Sequence, residues 1–353
     1  MELAQIYHQV EERLDKLDFA ALHCGFHRFP FALYNDAKAF IDGKLIDRPA
    51  EFIANTSVLY HGAHTAIWFL TEEPGDRDVL ASKLAHEMFH AFQNESGETR
   101  WADERGAFIR YRYDAVNITS RLEEAACMQS CLLREAPESF TRLLALRKAR
   151  LERFAYEYDY EARIEQIEGT ANAVELAALE QLDPEKAQRR RQRLWSELLD
   201  PAQYFPARAV TYLSGAAFLA CLRRYTKLDT DSFTDVPFAL AALEGIRPCA
   251  LPPADGRVTA CLAQWQSGMR ETVRQTLEKG ELVLSGSYRL VAWNVYDGTW
   301  DGQYAVLTYF IGYLEGDELP GMDEELFRRM KTLSGDFVAE VDAELHLTRV
   351  WRR

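Results

Sequence analysis

The chain has 353 residues, enough for a large buried core and for two or three cooperating subdomains. Its formal charge of -14 argues against nucleic acid and anionic membrane as principal partners, since both select a positive surface. Apolar residues make up 48% of the sequence, which marks a globular chain, and no run of eighteen apolar residues offers a membrane span.

The first segment, "MELAQIYHQVEERLDKLDF", places Leu3, Ile6, Val10, Leu14 and Leu17 at helical spacing with acidic groups between them. It lacks the basic start, apolar stretch and small-residue cleavage site of a signal peptide, which predicts a cytoplasmic protein. Six cysteines in mostly apolar helical contexts suit buried thiols in that compartment, and Cys127 and Cys131, one helical turn apart, read as packing residues. Residues 29 to 72 are rich in Phe, Ile, Val, Tyr and Trp and are broken by Asn, Gly and Pro, which predicts a small sheet. Within it "YHGAHTAIWFL" is expected to form an edge strand able to pair with an extended peptide. His61 and His64 there read as satisfied polar groups.

"EEPGDRD" forms a turn whose acidic residues open the next helix. That helix carries Leu80, Leu84 and Met88 on one row, and Gly97 ends it. From about 117 to 250 the pattern is almost wholly helical. One helix ends at Asp183-Pro184, and "ARAVTYLSGAAFLACLRRY", apolar on nearly every face, is expected to be central. Arg189, Arg190, Arg191 and Arg193 read as a solvated helix face. Beyond about 280, Asp297-Gly298 and Asp301-Gly302 turns separate β-branched and aromatic runs. Phe337, Ala339, Val341, Ala343 and Leu345 alternate as a strand, and Tyr288, Trp293, Tyr296, Trp300, Tyr304 and Tyr309 read as cross-strand packing. The expectation is an α+β chain in three regions: residues 1–75 with the small sheet, a helical core at 76–275, and a β-rich subdomain at 276–353.

Chemistry concentrates in His86-Glu87-Met88-Phe89-His90. Positions four apart lie one turn above each other, so His86 and His90 can direct their rings at one metal ion. Glu87 is offset, so its carboxylate reaches the open coordination position rather than the ion, where a general base belongs. A third ligand is sought in "IEQIEGTANAVELAAL". There Ile164, Ile167, Ala171, Val174 and Ala178 form a core stripe, and Glu168, Asn172 and Glu175 share a neighbouring row. Gly169 inside that helix costs about 1 kcal/mol relative to Ala, and close approach to the helix of His86 and His90 would explain it. Glu123 and Glu124 compete as third ligand, followed by Glu104.

His86-Glu87-Met88-Phe89-His90 followed by Glu168-Gly169-Thr170-Ala171 and Glu175 resembles the gluzincin metallopeptidases, the group of thermolysin and aminopeptidase N. The resemblance spans about residues 55 to 225. It implies a zincin-like helical core holding one Zn2+, with His86, His90 and Glu168 as ligands and Glu175 orienting a ligand histidine. Tyr212-Leu213-Ser214-Gly215 fits the family's Y-x-x-G pattern and implies that Tyr212 stabilises the oxyanion, with Tyr204 as the nearest substitute. Two features depart from the family: the spacer between His90 and Glu168 is long enough for two extra helices, and the G-x-M-E-N segment of aminopeptidases is absent. "FPFALYN" and "HEMFHAFQ" also resemble uncharacterised bacterial HExxH proteins. The expected function is a zinc metallopeptidase that hydrolyses peptide bonds with a metal-activated water and Glu87 as general base. The alternatives are a catalytically silent zincin-scaffold protein that binds peptides, and a zinc amidase acting on a small non-peptide substrate.

Overall fold

The computed structural model describes residues 2–316 and 324–353, so residues 317–323 of the expected C-terminal region lie outside the described residues. The fold is α+β with helices predominating, as the sequence predicts. α1 (Leu3–Leu14) buries Leu3, Ile6, Val10 and Leu14, the row that its period marks. α2 (Phe19–Leu22) is a single turn capped by Asp18.

The expected small sheet consists of β1 (Phe31–Tyr34), β2 (Lys38–Ile41), β3 (Lys44–Asp47), β4 (Thr56–Tyr60) and β5 (Ala63–Phe69), in the order β3-β2-β1-β5-β4. Asp42-Gly43 and His61-Gly62 join two of its hairpins, and all four residues have positive φ, the turn geometry that matches the twist of antiparallel strands. β5 pairs in parallel with β1, Leu33 opposite Trp68, and antiparallel with β4, Val58 opposite Thr65. The edge-strand expectation for residues 60 to 70 is therefore corrected. Because β1 crosses over to pair with β5, that strand becomes interior and β4 takes the free edge.

α3 (Arg77–Glu95) starts where the Asp76 carboxylate accepts backbone N–H groups of Asp78 and Val79 at 2.9 and 3.2 Å. It lies between the sheet and the later helix α8, so it is buried on most faces. α4 (Glu104–Arg110), α5 (Ala115–Arg134), α6 (Pro137–Arg153) and α7 (Ala155–Ile164) follow. Four helices thus occupy the spacer before Glu168, where two were expected. A π-helical turn, Glu165–Gly169, leads directly into α8 (Thr170–Leu182), which stops at Asp183-Pro184 as expected. α9 (Pro184–Leu198), α10 (Ala207–Tyr225), α11 (Phe238–Ala241) and α12 (Gly256–Lys279) complete the helical part. α10 is buried along nearly its whole length, the central position that its composition predicts.

The expected core stripe of the π turn and α8 is buried, but the close approach at Gly169 is made to α10 and not to α3. A Cβ on Gly169 would stand 2.6 Å from the Cα of Gly215. Two glycines facing each other let these backbones touch, whereas α3 meets α8 through ordinary side chains.

The C-terminal sheet contains β6 (Glu281–Trp293), β7 (Thr299–Trp300), β8 (Tyr304–Leu307), β9 (Phe310–Glu315), β10 (Lys331–Ser334), β11 (Phe337–Val341) and β12 (His346–Arg352), with α13 (Glu324–Arg329) between β9 and β10. Its order is β10-β9-β6-β12-β11-β8-β7, and every pairing is antiparallel. The alternation expected through Leu345 ends at Val341, because residues 342 to 345 turn and leave Ala343 exposed. No helix among the described residues is long and apolar enough to cross a membrane.

Candidate metal centre

α3 presents His86 and His90 on one face, and the two Nε2 atoms lie 3.1 Å apart. The π turn brings Glu168 to the same point: its Oε2 is 3.5 Å from Nε2 of His86 and 3.2 Å from Nε2 of His90. All three ligand atoms fall within 4.8 Å of one another. A π turn inserts one extra residue and so re-aims the side chains around it, which is how Glu168 faces α3 while α8 keeps its apolar stripe inward.

Each histidine is fixed through its other nitrogen. Gln93, one turn beyond His90, stands with its Oε1 2.7 Å from Nδ1 of His90, and its Nε2 donates to the Ile167 carbonyl at 3.0 Å and to Thr170 Oγ1 at 3.1 Å. That network fixes the amide orientation, so Oε1 accepts the Nδ1 proton. Glu175 Oε2 lies 3.5 Å from Nδ1 of His86, which has no other polar partner. With both protons on Nδ1, two Nε2 lone pairs and one carboxylate oxygen converge on a single buried point. Imidazole protons or a metal ion can occupy that point, and a two-nitrogen, one-oxygen donor set suits zinc. These residues therefore fit a metal ion.

Burial lowers the His86 imidazole, yet Glu168 and Glu175 on its two sides outweigh that and raise it to about 10. Burial would raise Glu168, but His90, His86 and Arg208 hold it well below the usual carboxylate range. Glu87 shifts upward through burial, offset in part by the two histidines. A cavity of about 380 Å3 opens on this point, and His86, Glu87, Glu175, Tyr212 and Tyr296 are among its walls.

Tyr212, on α10, reaches the cavity through close packing with Arg208 one turn earlier. Arg208 Nη1 donates to the Tyr212 hydroxyl at 2.6 Å, and its Nη2 lies 3.1 Å from Glu104 and 3.4 Å from Glu168. Burial, then the charge of Glu168, pushes the Tyr212 phenol well above its ordinary value, so it remains a proton donor. Arg208 can only donate, which leaves the phenolic proton for an acceptor on the cavity side, where Tyr296 now stands.

The rival ligands are placed elsewhere. Glu124 is buried against Arg150 and Arg147 at 3.0 and 3.4 Å, and Glu123 binds Arg142 at 2.6 Å. Both pairings neutralise carboxylates that α5 directs away from α3. Glu104 accepts the Tyr160 hydroxyl at 2.9 Å and contacts Arg208, so it meets the centre only through that arginine. Tyr204 donates to the Leu198 carbonyl at 2.8 Å and lies outside the cavity. His61 occupies the β4–β5 turn and His64 lies on β5, and neither lines the cavity. Cys127 and Cys131 are buried free thiols.

Sequence reasoning missed four residues. Gln93 and Arg208 were hidden in apolar helical runs, where a polar residue one turn from His90 or Tyr212 was the available signal. Tyr296 was expected in cross-strand packing, but the turn between β6 and β7 carries it beside Tyr212, with ring centroids 5.7 Å apart. Arg190 was expected on a solvated face and instead lines the cavity, because it sits one helical position away from the outward side chains of Arg189 and Arg191. No family model, no curated protein and no solved structure matches this chain.

Proposed function

We propose that the protein is a zinc-dependent hydrolase of peptide or amide bonds acting in the cytoplasm. The observation that carries the reading is the convergence of His86, His90 and Glu168 at one buried point, beside a cavity walled by Glu87 and Tyr212. Buried thiols at Cys127, Cys131 and Cys221 support the compartment. Bound zinc would supply Lewis acidity and lower the pKa of water at the open position. Glu87, next in sequence to a ligand but facing the cavity, takes the proton from the attacking water. It then returns that proton to the leaving amine. Tyr212, kept protonated and braced by Arg208, donates to the oxygen that gains charge as the carbonyl becomes tetrahedral. The free edge of β4, whose Ser57 lies 3.5 Å from Asn94 near the end of α3, offers backbone groups to an extended substrate.

The cavity volume favours short substrates, whether peptides or other small amides, over a long chain. An intact Glu87 speaks against a silent binding scaffold, which has no use for a buried carboxylate raised in pKa at that place. The test is incubation of zinc-loaded protein with a mixed library of short peptides, read by mass spectrometry, beside Glu87→Gln. Cleavage should fall by roughly 10^2- to 10^4-fold in the variant while zinc content stays at one per chain. Cleavage that survives Glu87→Gln would sink the mechanism, and loss of zinc in that variant would make Glu87 a ligand instead of a base.

A further inference from the structure

The cavity wall carries two cations that the reaction does not use. Lys83 sits on α3 one turn before Glu87. Among the described residues it makes no ion pair, and its ammonium stands 5.4 Å from the Trp68 ring centroid. Arg190, on α9, has Glu197 as its nearest carboxylate at 3.8 Å, while Glu197 binds Arg193 much more closely at 2.5 Å. Lys83 is therefore left without a carboxylate partner, and Arg190 has only a share in Glu197, although Glu175 and Glu197 stand in the same cavity wall.

The place of Lys83 on α3 gives the pair a direction. If Glu87 hands its proton to the leaving amine, the leaving half of the substrate lies on the Glu87 side. Lys83, four residues earlier, is the next side chain along that helix face. Resting on the hydrolase reading above, we infer that the leaving half of the substrate carries a carboxylate, which Lys83 and Arg190 bind. A planar guanidinium and a mobile ammonium are complementary in this task, the first binding two oxygens and the second adding a point charge. The carboxylate is either the C-terminus of a short peptide or an acidic side chain.

Three probes distinguish the possibilities: N-acetyl-dialanine, its C-terminal amide, and N-acetyl-Ala-Asp amide. Each is titrated calorimetrically into zinc-loaded Glu87→Gln and, separately, tested for cleavage by the zinc-loaded wild type. The acid should bind at least about tenfold tighter than the neutral amide, as loss of a charge-assisted contact predicts. That ratio should fall towards one in Glu87→Gln carrying Lys83→Met or Arg190→Gln, with zinc content and circular dichroism unchanged. If the Ala-Asp amide matches the acid, the site accepts a side-chain carboxylate as well as the terminal one; if it behaves as the neutral amide, the terminus alone is recognised. Equal binding of all three probes, no measurable binding of any, or a preference for acid that both variants retain would each overturn the inference. Because the ratio in Glu87→Gln alone decides by itself, a Lys83 or Arg190 variant that fails to fold does not protect the idea. Selective binding without turnover would keep the anion site and remove the hydrolase reading, whereas turnover blind to the carboxylate would do the reverse.

Discussion

At the scale of single residues, the proposed centre would set protons against a metal. Without an ion, the carboxylates of Glu168 and Glu175 hold His86 protonated up to about 10, well above the 6.5 of a free imidazole. A folded-state value raised above the unfolded one stabilises the protein fully below about pH 6.5. That contribution is lost as pH rises through about 10. Metal binding has the opposite sign, since a ligand imidazole must give up its Nε2 proton. Metal-free protein should therefore melt at progressively lower temperature between about pH 6.5 and 10. Over the same interval the apparent zinc affinity should climb by about tenfold or more per pH unit. Competition titration with a chromophoric chelator, alongside calorimetry of the apoprotein, measures both. A zinc affinity flat across pH 7 to 9 would mean that His86 carries no such proton.

At the scale of elements, everything depends on where the π turn holds Glu168. Arg147 grips Glu165, at the start of that turn, with two hydrogen bonds of 2.7 and 2.8 Å, and Ser214 of α10 adds a third at 2.7 Å. On the other side Gly169 and Gly215 leave no room for a methyl group: a Cβ on Gly215 would stand 2.8 Å from the Cα atoms of Glu165 and Gly169, both rigid backbone. Gly215→Ala should therefore push the π turn from α10, cost about 1–3 kcal/mol of stability and weaken zinc binding together. Gly268, exposed in the middle of α12 with nothing near its Cβ position, provides the contrast. Gly268→Ala should gain about 0.5–1 kcal/mol through helix propensity alone and leave zinc untouched. Thermal melts with zinc titrations check both, and a Gly215→Ala protein with wild-type zinc affinity would show that Glu168 is not positioned by this contact. This element also marks the limit of what the sequence reveals. His86, Glu87 and His90 were legible because helical geometry converts spacing into facing, and the helix start at Asp76 and the helix end at Asp183-Pro184 were legible because their chemistry is local. Glu168 and Glu175 stood out through spacing and family likeness together. The π turn was not legible, since a one-residue insertion leaves the apolar pattern of the following helix intact. Nor was the β4 edge, because strand order depends on a parallel pairing between segments about thirty residues apart.

At the scale of the whole molecule, the C-terminal sheet contributes to a candidate centre whose proposed ligands all lie more than a hundred residues earlier. The contribution is Tyr296, and the sheet delivers it through a stiff turn. Asp297 accepts from Asn294 Nδ2 at 2.8 Å, and both its oxygens accept from Thr308 Oγ1 at 2.7 Å, which ties the turn to the chain after β8. Tyr296 meets Tyr212 and lies over Arg208, whose guanidinium carbon is 5.5 Å from its ring centroid. Two separable effects follow. Tyr296→Phe removes one hydroxyl beside the phenol of Tyr212 and should cost about 2- to 10-fold in kcat/KM, the worth of one neutral hydrogen bond. Asp297→Ala releases the whole turn, so the ring itself loses its place and the loss should be larger, although residue 297 touches no reacting atom. Zinc content should be unchanged in both, because Tyr296 supplies no ligand. Steady-state kinetics on any peptide that the wild type cleaves, with metal analysis in parallel, tests the pair. If Asp297→Ala matched the wild type while Tyr296→Phe did not, the turn would be free to hold its tyrosine without Asp297. If both matched it, the sheet would be serving the stability of the helical core and not its chemistry.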